Sequence, residues 1–500
     1  MDSSYILSID QGTTSSRVIL YDGGGKPVSS YRLPHRQIYP EPGWVSHDPA
    51  EIYRNVQECA YKAIEAAGIS ASQIAAIGIT NQRETLVAWD KLTGEPVCDA
   101  IVWQCSRTAD ICKRVISEGM EDEIRGKTGL LVDPYFSATK IRWTLDNVPQ
   151  AQELAAKGRL LAGTMDCWLI WRLSGGKTHA TDFTNASRTM LFNINTLKWD
   201  EELLRYFGIP REILPEVVTS SGVAAYTDES VFGAKIPIAG VAGDQHAALF
   251  GQTCFGEGDM KNTYGTGCFI LKNIGDKPVR SKNKLLTTIA WHIGGKVTYA
   301  LEGSIFNAGA AIEWMIRKAG LAGGVDEIQS ICEATPDTGD VYFVPAFTGL
   351  GAPYWDMYAR GSILGMTLST GRNEIVRAVM ESVAFQSRDV IAVMDAEASA
   401  TATRLRVDGG VSGSGFLMQF QADILGILVE RPKDVETTAL GASYLAGLGV
   451  GVYGDLGKIA ASREPGAVYH PGKDADWSRE RYARWTKAVE KAKGWAQAGN

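Results

Sequence analysis

The stretch "SIDQGTTSSR", Ser8 to Arg17, sets an acid, a lone glycine and four hydroxyls at the end of an apolar run. That run, and the strand period of "RVILYD" after the stretch, predict a β-hairpin with these residues as its turn. Gly12 permits close backbone approach, and Thr13, Thr14, Ser15 and Ser16 offer donors suited to phosphate oxygens. Asp10 would repel phosphates unless a divalent cation lay between, and Mg²⁺ is the ion this chemistry favours. A Thr/Ser-rich turn without a ligand fits the same ten residues.

A second acid, Asp244 in "AGVAGDQHAALFG", follows a small apolar strand and opens a helix. It is either a helix cap or a general base at a cleft edge, where apolar surroundings and phosphate charge would raise its proton affinity. His246 beside it reads as structural. In "TNQRETLVAW", Arg83 and Glu84 are either a surface ion pair or a donor and an acceptor for adjacent hydroxyls of a polyol. Trp103 in "IVWQCSR" and Tyr135 in "DPYFSATK" would add an apolar wall and a hydroxyl, or belong to the core.

A third glycine-bearing stretch, "LRVDGGVSGSGF", runs from a strand through Asp408, Gly409 and Gly410 into a helix. It suits a base or phosphate at the helix N-terminus, and equally a tight connection. Two other glycine patterns are excluded. "GKT" at Gly126 and Gly176 lacks the earlier glycine of a Walker loop, and Gly449, Gly451 and Gly454 follow a helical segment instead of a strand.

The elements that must position these residues alternate between strand and helix periods, which predicts α/β layers. "IAAIGITNQRETLVAWD" reads as strand, loop, strand; "PAEIYRNVQECAYKAIEAAG", "GSIFNAGAAIEWMIRKAG" and "GRNEIVRAVMESVAFQSRDVIAVM" have helical period. "GTTSSRVILYDGGGKPV", from Gly12, is echoed by "GTGCFILKNIGDKPV", from Gly265, so two similar halves would each present a hydroxyl-bearing hairpin. Their boundary falls in "FGQTCFGEG", and 500 residues exceed a single core.

Composition narrows the partners. A formal net charge of −7 with no long run of one sign leaves no basic surface for nucleic acid. No apolar run approaches the ~18 residues of a membrane span, and "MDSSYILSID" has no signal-peptide pattern, so a cytoplasmic protein without membrane insertion is expected. The eight cysteines contain no C-x-x-C pair and the six histidines no zinc-ligand spacing.

From "YILSIDQGTTSSR" through "GWVSHDP", "TNQRET", "YFSATKIRWTLDN", "AGDQ", "NTYGTG" and "VPAFTGLGAPYWD" to "VDGG" and "MQFQADIL", the chain resembles the FGGY carbohydrate kinases. "NQRE" with "GLGAPYWD" resembles the glycerol-phosphorylating branch. The resemblance implies two similar ribonuclease H-like domains of the actin, hexokinase and Hsp70 ATPase fold, residues 1–252 and 253–500, with a catalytic cleft between them. It implies Mg²⁺, ATP as co-substrate and glycerol as acceptor, with Asp244 as catalytic base. Arg83, Glu84, Trp103, Tyr135, Asp244, Gln245 and Phe269 would contact glycerol. Thr13, Thr14, Ser15, Arg17, Thr266, Gly309, Glu313, Gly410 and Ser414 would contact ATP. Asp10 and Asp244 would hold Mg²⁺, partly through water, and a homodimer or homotetramer is implied.

The sequence departs from the family's pattern in places. Ser414 stands where an adenine-binding Asn is common, Glu313 replaces a frequent Gln, and Thr144 replaces an apolar residue of the signature. "FGAKIP" offers Gly233, Ala234 and Lys235 in place of a "GGTR" effector loop, and "SSGVAAYTDESVFG" has no histidine to phosphorylate. Two other readings compete: a kinase of the same family acting on a ketose or sugar acid, and an ATP-driven conformational protein whose hydrolysis ignores glycerol.

Overall fold

The computed structural model describes residues 4–497, so Met1 to Ser3 of the amino-terminal stretch lie outside it. Its first unit is built around five strands: β1 (Tyr5–Gln11), β2 (Ser15–Tyr21), β3 (Pro27–Pro34), β4 (Ile74–Asn81) and β5 (Pro237–Gly243). They lie in the order β3-β2-β1-β4-β5. The first three are antiparallel, and β1, β4 and β5 run parallel. Helix α1 (Pro49–Ala67) crosses from β3 to β4; Asp48 caps its start and Gly68, at φ 65°, ends it. Helix α2 (Asp244–Gly251) follows β5 directly.

The second unit repeats this plan. Strands β6 (Met260–Tyr264), β7 (Cys268–Asn273), β8 (Lys296–Ile305), β9 (Arg404–Asp408) and β10 (Leu428–Pro432) lie in the order β8-β7-β6-β9-β10 with the same directions. Helix α3 (Gly309–Arg317) follows β8, and α4 (Arg372–Glu397) crosses to β9 as α1 crosses to β4. Helix α5 (Gly415–Leu425) joins β9 to β10, and α6 (Thr437–Gly449) follows β10 as α2 follows β5. The Gly-Thr echo in the sequence therefore marks the equivalent β1–β2 and β6–β7 hairpins.

Strands Ser221–Tyr226 and Leu286–Ile293 extend the two ladders until they meet through one residue pair, Ser221 opposite Ile293, giving a single 13-stranded sheet. The main interlock is helical. A Cβ on Gly441 of α6 would lie 1.8 Å from the Ala247 carbonyl oxygen of α2, and one on Gly251 2.0 Å from the Thr437 oxygen, so only glycines allow this approach. Gly78 of β4 meets the Ala442 carbonyl as closely, at 2.2 Å from its would-be Cβ. Around the pair, Phe250, Trp291, Leu440 and Tyr444 form a core shared by both units.

The carboxy-terminal helix α7 (Ala475–Ala492) buries Trp485 and Val489 completely, and Trp485 Nε1 donates to Asp389 at 2.9 Å. Its apolar face thus packs on its own unit. Among the described residues no helix is long and apolar enough to cross a membrane.

Candidate functional site

The first hairpin turns at Gly12, whose amide donates to Ser15 O at 3.0 Å. Ser15 and Ser16 already belong to β2, which narrows the expected turn: only Thr13 and Thr14 carry hydroxyls in its tip. Ser15 Oγ accepts from Arg32 Nε at 2.7 Å, and Ser16 Oγ is sealed in the interior. Arg17, opposite Asp10 in the β1–β2 ladder, pairs with Glu436 just before α6.

A closed circuit of neutral groups holds the tip. Gln37 Nε2 donates to Thr13 O at 3.0 Å, His47 Nε2 donates to Gln37 Oε1 at 3.0 Å, and Gln82 Nε2 donates to His47 Nδ1 at 3.2 Å. Thr85 Oγ1 donates to Gln82 Oε1 and accepts from the Trp103 amide, and Trp103 Nε1 returns to Thr13 Oγ1 at 3.0 Å. Burial lowers the His47 pKa to about 3, so the imidazole is neutral and its two nitrogens take the donor and acceptor roles this circuit requires.

Arg83 and Glu84 are 3% and 1% exposed, which removes the surface-pair reading. Arg83 holds φ at 38°, a left-handed conformation that its contacts must sustain. Its Nη1 donates to Glu302 Oε2 at 2.6 Å and its Nη2 to the Tyr135 hydroxyl at 2.6 Å; its Nε lies 3.3 Å from Asp244 Oδ1. Glu84 accepts from Arg188 Nε at 2.7 Å, and Arg188 Nη2 donates to Glu302 Oε1 at 3.1 Å. The result is an alternating buried chain, Glu84–Arg188–Glu302–Arg83. Burial alone would raise the Glu302 carboxyl, but the Arg188 and Arg83 guanidiniums hold it at about 2.

Tyr135 packs edge-on against Trp103 with ring centres 5.5 Å apart, and Phe269 of β7 faces Trp103 at 6.5 Å. This aromatic wall therefore draws on both units. Asp244 is the first residue of α2, with Gly243 in the cap position, so it is free of the capping role. Burial raises its carboxyl; Arg83 opposes that shift and Glu84 adds to it. Oδ1 accepts from the Gln245 amide at 2.7 Å, while no described residue hydrogen-bonds Oδ2. His246 is fully buried and bonded to Thr288 Oγ1 at 3.1 Å, the structural role expected of it.

Asp10, next to last in β1, is partly exposed, and its carboxyl is raised to about 6, by burial first and also by Asp244 and Glu436, against Arg17. Asp10 and Asp244 lie close enough to repel each other, and two carboxylates are hard oxygen donors of the kind Mg²⁺ takes. Among the described residues no cluster of three His, Cys, Asp or Glu could cage a metal alone, so phosphate oxygens and water would complete such a site.

The second hairpin carries Thr266 at its exposed tip, where Thr266 O accepts from the Ala308 and Ala310 amides at 3.0 Å. Gly309 opens α3 directly above it; a Cβ there would lie 2.5 Å from the Gly265 oxygen. Gly410 faces open space, whereas Gly409, at φ 84°, sits against the Tyr264 backbone. Ser414 caps α5 and donates to Gln329 Oε1 at 2.8 Å. Glu313 lies exposed, 3.1 Å from Arg317.

Sequence reasoning missed Arg188, Lys261 and Glu302. Glu302 and Lys261 had a signal: Lys261 is the lone charge of "MKNTY", Glu302 is the one charge of "KVTYALEGSI" after its first residue, Lys296, and both are fully buried. Arg188, in the coil "SRTM", had none.

A model of the FGGY family of carbohydrate kinases, N-terminal domain, matches residues 5–251, and one of the C-terminal domain of that family matches residues 260–450. Glycerol kinase 2 of Thermotoga maritima is 56% identical over 98% of this chain and 99% of its own length. Glycerol kinase of Symbiobacterium thermophilum is 54% identical over 99% of this chain and all of its own. Among solved structures, Plasmodium falciparum glycerol kinase with ADP superposes with a TM-score of 0.93 at 39% identity, covering 98% of each chain. Xylulose kinase of Lactobacillus acidophilus reaches 0.88 at 25% identity, again with 98% of each chain covered.

Proposed function

The chain belongs to the FGGY family of carbohydrate kinases, and from that premise we propose that it transfers the γ-phosphoryl group of ATP to glycerol, forming sn-glycerol 3-phosphate and ADP. The observation that carries this reading is the buried Arg83–Glu84 pair beside Asp244, a polyol-type donor and acceptor next to a carboxylate with a free oxygen.

Glycerol enters against Trp103, Tyr135 and Phe269, with its hydroxyls met by Arg83, Glu84 and Gln245. Asp244 Oδ2 takes the proton of the terminal hydroxyl as that oxygen attacks phosphorus in line. The raised carboxyl of Asp244 is a better proton acceptor than an exposed aspartate. Thr13, Thr14 and Thr266 cradle the phosphates from the two hairpins, with Arg17 and Ser15 behind the first tip. Gly309, Gly410, Ser414 and Glu313 lie on the nucleotide's base side. Asp10 and Asp244 would hold Mg²⁺, partly through water, and the bound ion would neutralise phosphate charge.

Because the phosphate hairpins belong to different units, divided as residues 1–252 and 253–500, ATP spans the cleft and favours its closure, which excludes competing water. A cytoplasmic location accords with eight free cysteines. Assembly as a homodimer or homotetramer belongs to the same proposal; the exposed side chains of Met357, Met366 and Leu368 leave apolar surface for a second copy.

The test is ADP release from MgATP with no acceptor, glycerol, dihydroxyacetone, D-xylulose, L-ribulose or gluconate, with the product identified by mass. Glycerol alone should stimulate strongly. Equal rates with every acceptor would leave only a conformational ATPase, and preference for a ketose or gluconate would move the chain to another branch of its family.

A further inference from the structure

Lys261 of β6 is wholly buried, yet no carboxylate among the described residues lies within ion-pair distance of it. Its Nζ donates to Thr263 Oγ1 at 2.8 Å and to Gln245 Oε1 across the join between the units. The charged groups facing it are Asp408 of β9, Asp244 of α2, Arg83 after β4 and Glu302 of β8. Burial lowers its ammonium to about 8, while Asp408 and Asp244 favour the charge. A buried ammonium without a carboxylate partner costs stability and gives the fold nothing that a methionine would not.

What it does give is direction. A lysine has three donors and no acceptor, so the Gln245 amide can meet it only with Oε1. The amide's other end, Nε2 with two N–H donors, is then turned away from Lys261 and is left to donate elsewhere. Without the lysine, either end of the amide could face that way.

We infer that Lys261 is a positioning residue for the acceptor site, orienting the Gln245 amide so that it donates to a substrate oxygen. This rests on the reading of Gln245 as a glycerol contact. The pocket would thereby prefer an oxygen acceptor at that point, such as the hydroxyl of a polyol. Since Lys261 comes from the second unit and Gln245 from the first, the orientation is set only when the units are in register.

A double-mutant cycle in the full chain tests this, with Lys261→Met, Gln245→Ala and the pair, reading glycerol KM, kcat and Tm. Lys261→Met should raise glycerol KM by about 10-fold with a smaller change in ATP KM, and Tm should hold or rise. The pair should match Gln245→Ala alone, because the lysine acts through the amide. Lys261→Arg keeps a group with donors only for Oε1 and should recover most of the loss, which covers the case in which the methionine variant folds poorly. An unchanged glycerol KM in Lys261→Met, or additive losses in the pair, would overturn the inference. An unchanged glycerol KM in Gln245→Ala would overturn the contact reading beneath it, and the inference with it.

Discussion

Arg83 Nη1 lies 2.6 Å from Glu302 Oε2, an ion pair that reaches from the loop after β4 in the first unit to β8 in the second. Both partners are buried, and Glu302 also binds Arg188, so this carboxylate joins two guanidiniums beneath the proposed acceptor site. The floor of that proposed site is therefore also part of the join between the units.

Glu302→Gln should leave Arg83 and Arg188 without their shared counter-charge. Removing one member of a buried charge network costs about 3–5 kcal/mol, so Tm should fall and glycerol KM rise together. The sign of the pH effect follows from the shift. Glu302 sits at about 2 against the 4.5 of an ordinary glutamate, so its stabilisation is complete above about 4.5 and lost as pH falls through about 2. Thermal melts from pH 2 to 7 should show that acid sensitivity reduced in the variant.

Asp244→Asn keeps the shape of the side chain but cannot take a proton. Glycerol binding measured by calorimetry should be near normal while kcat falls by about 10²-fold or more. Unchanged turnover would remove Asp244 from the role of base.

Asp10→Asn should separate stability from activity. The Asp10 carboxyl is raised to about 6, so its charged form is disfavoured by folding: the penalty is fully present above about 6 and absent below the unfolded value of 3.8. At pH 7.5 the variant without nucleotide should melt at the same temperature or about 1–3 °C higher, while Mg²⁺-dependent phosphoryl transfer is lost. A lower Tm at pH 7.5 would show that Asp10 is held for the fold.

Gly441→Ala probes the crossing of α2 and α6. Its new Cβ would meet the Ala247 carbonyl at 1.8 Å, and backbone on both sides must shift. A loss of about 1–3 kcal/mol is expected, measured by denaturant unfolding. Because the same crossing joins the two units, ATP hydrolysis in the absence of glycerol should rise relative to transfer.

The likeness of the two halves was legible because a hairpin and its turn are local events. "GTTSS" and "GTGC" specify their turns through neighbouring residues, and α1, α4 and the strand–loop–strand around Arg83 follow from period and glycine stops alone. Residue chemistry raised Asp10, Arg83, Glu84, Tyr135 and Asp244 as candidates, and the family resemblance chose between their readings, for the same reason: each sits in a short contiguous motif. What only the tertiary structure decided is which distant residues complete them. Glu302 is 219 residues from Arg83, Arg188 104 from Glu84, and Lys261 comes from the other unit than Gln245. A carboxylate's partner is chosen by proximity in space and by loss of water on burial, and neither quantity exists in a linear chain until the two units are brought together.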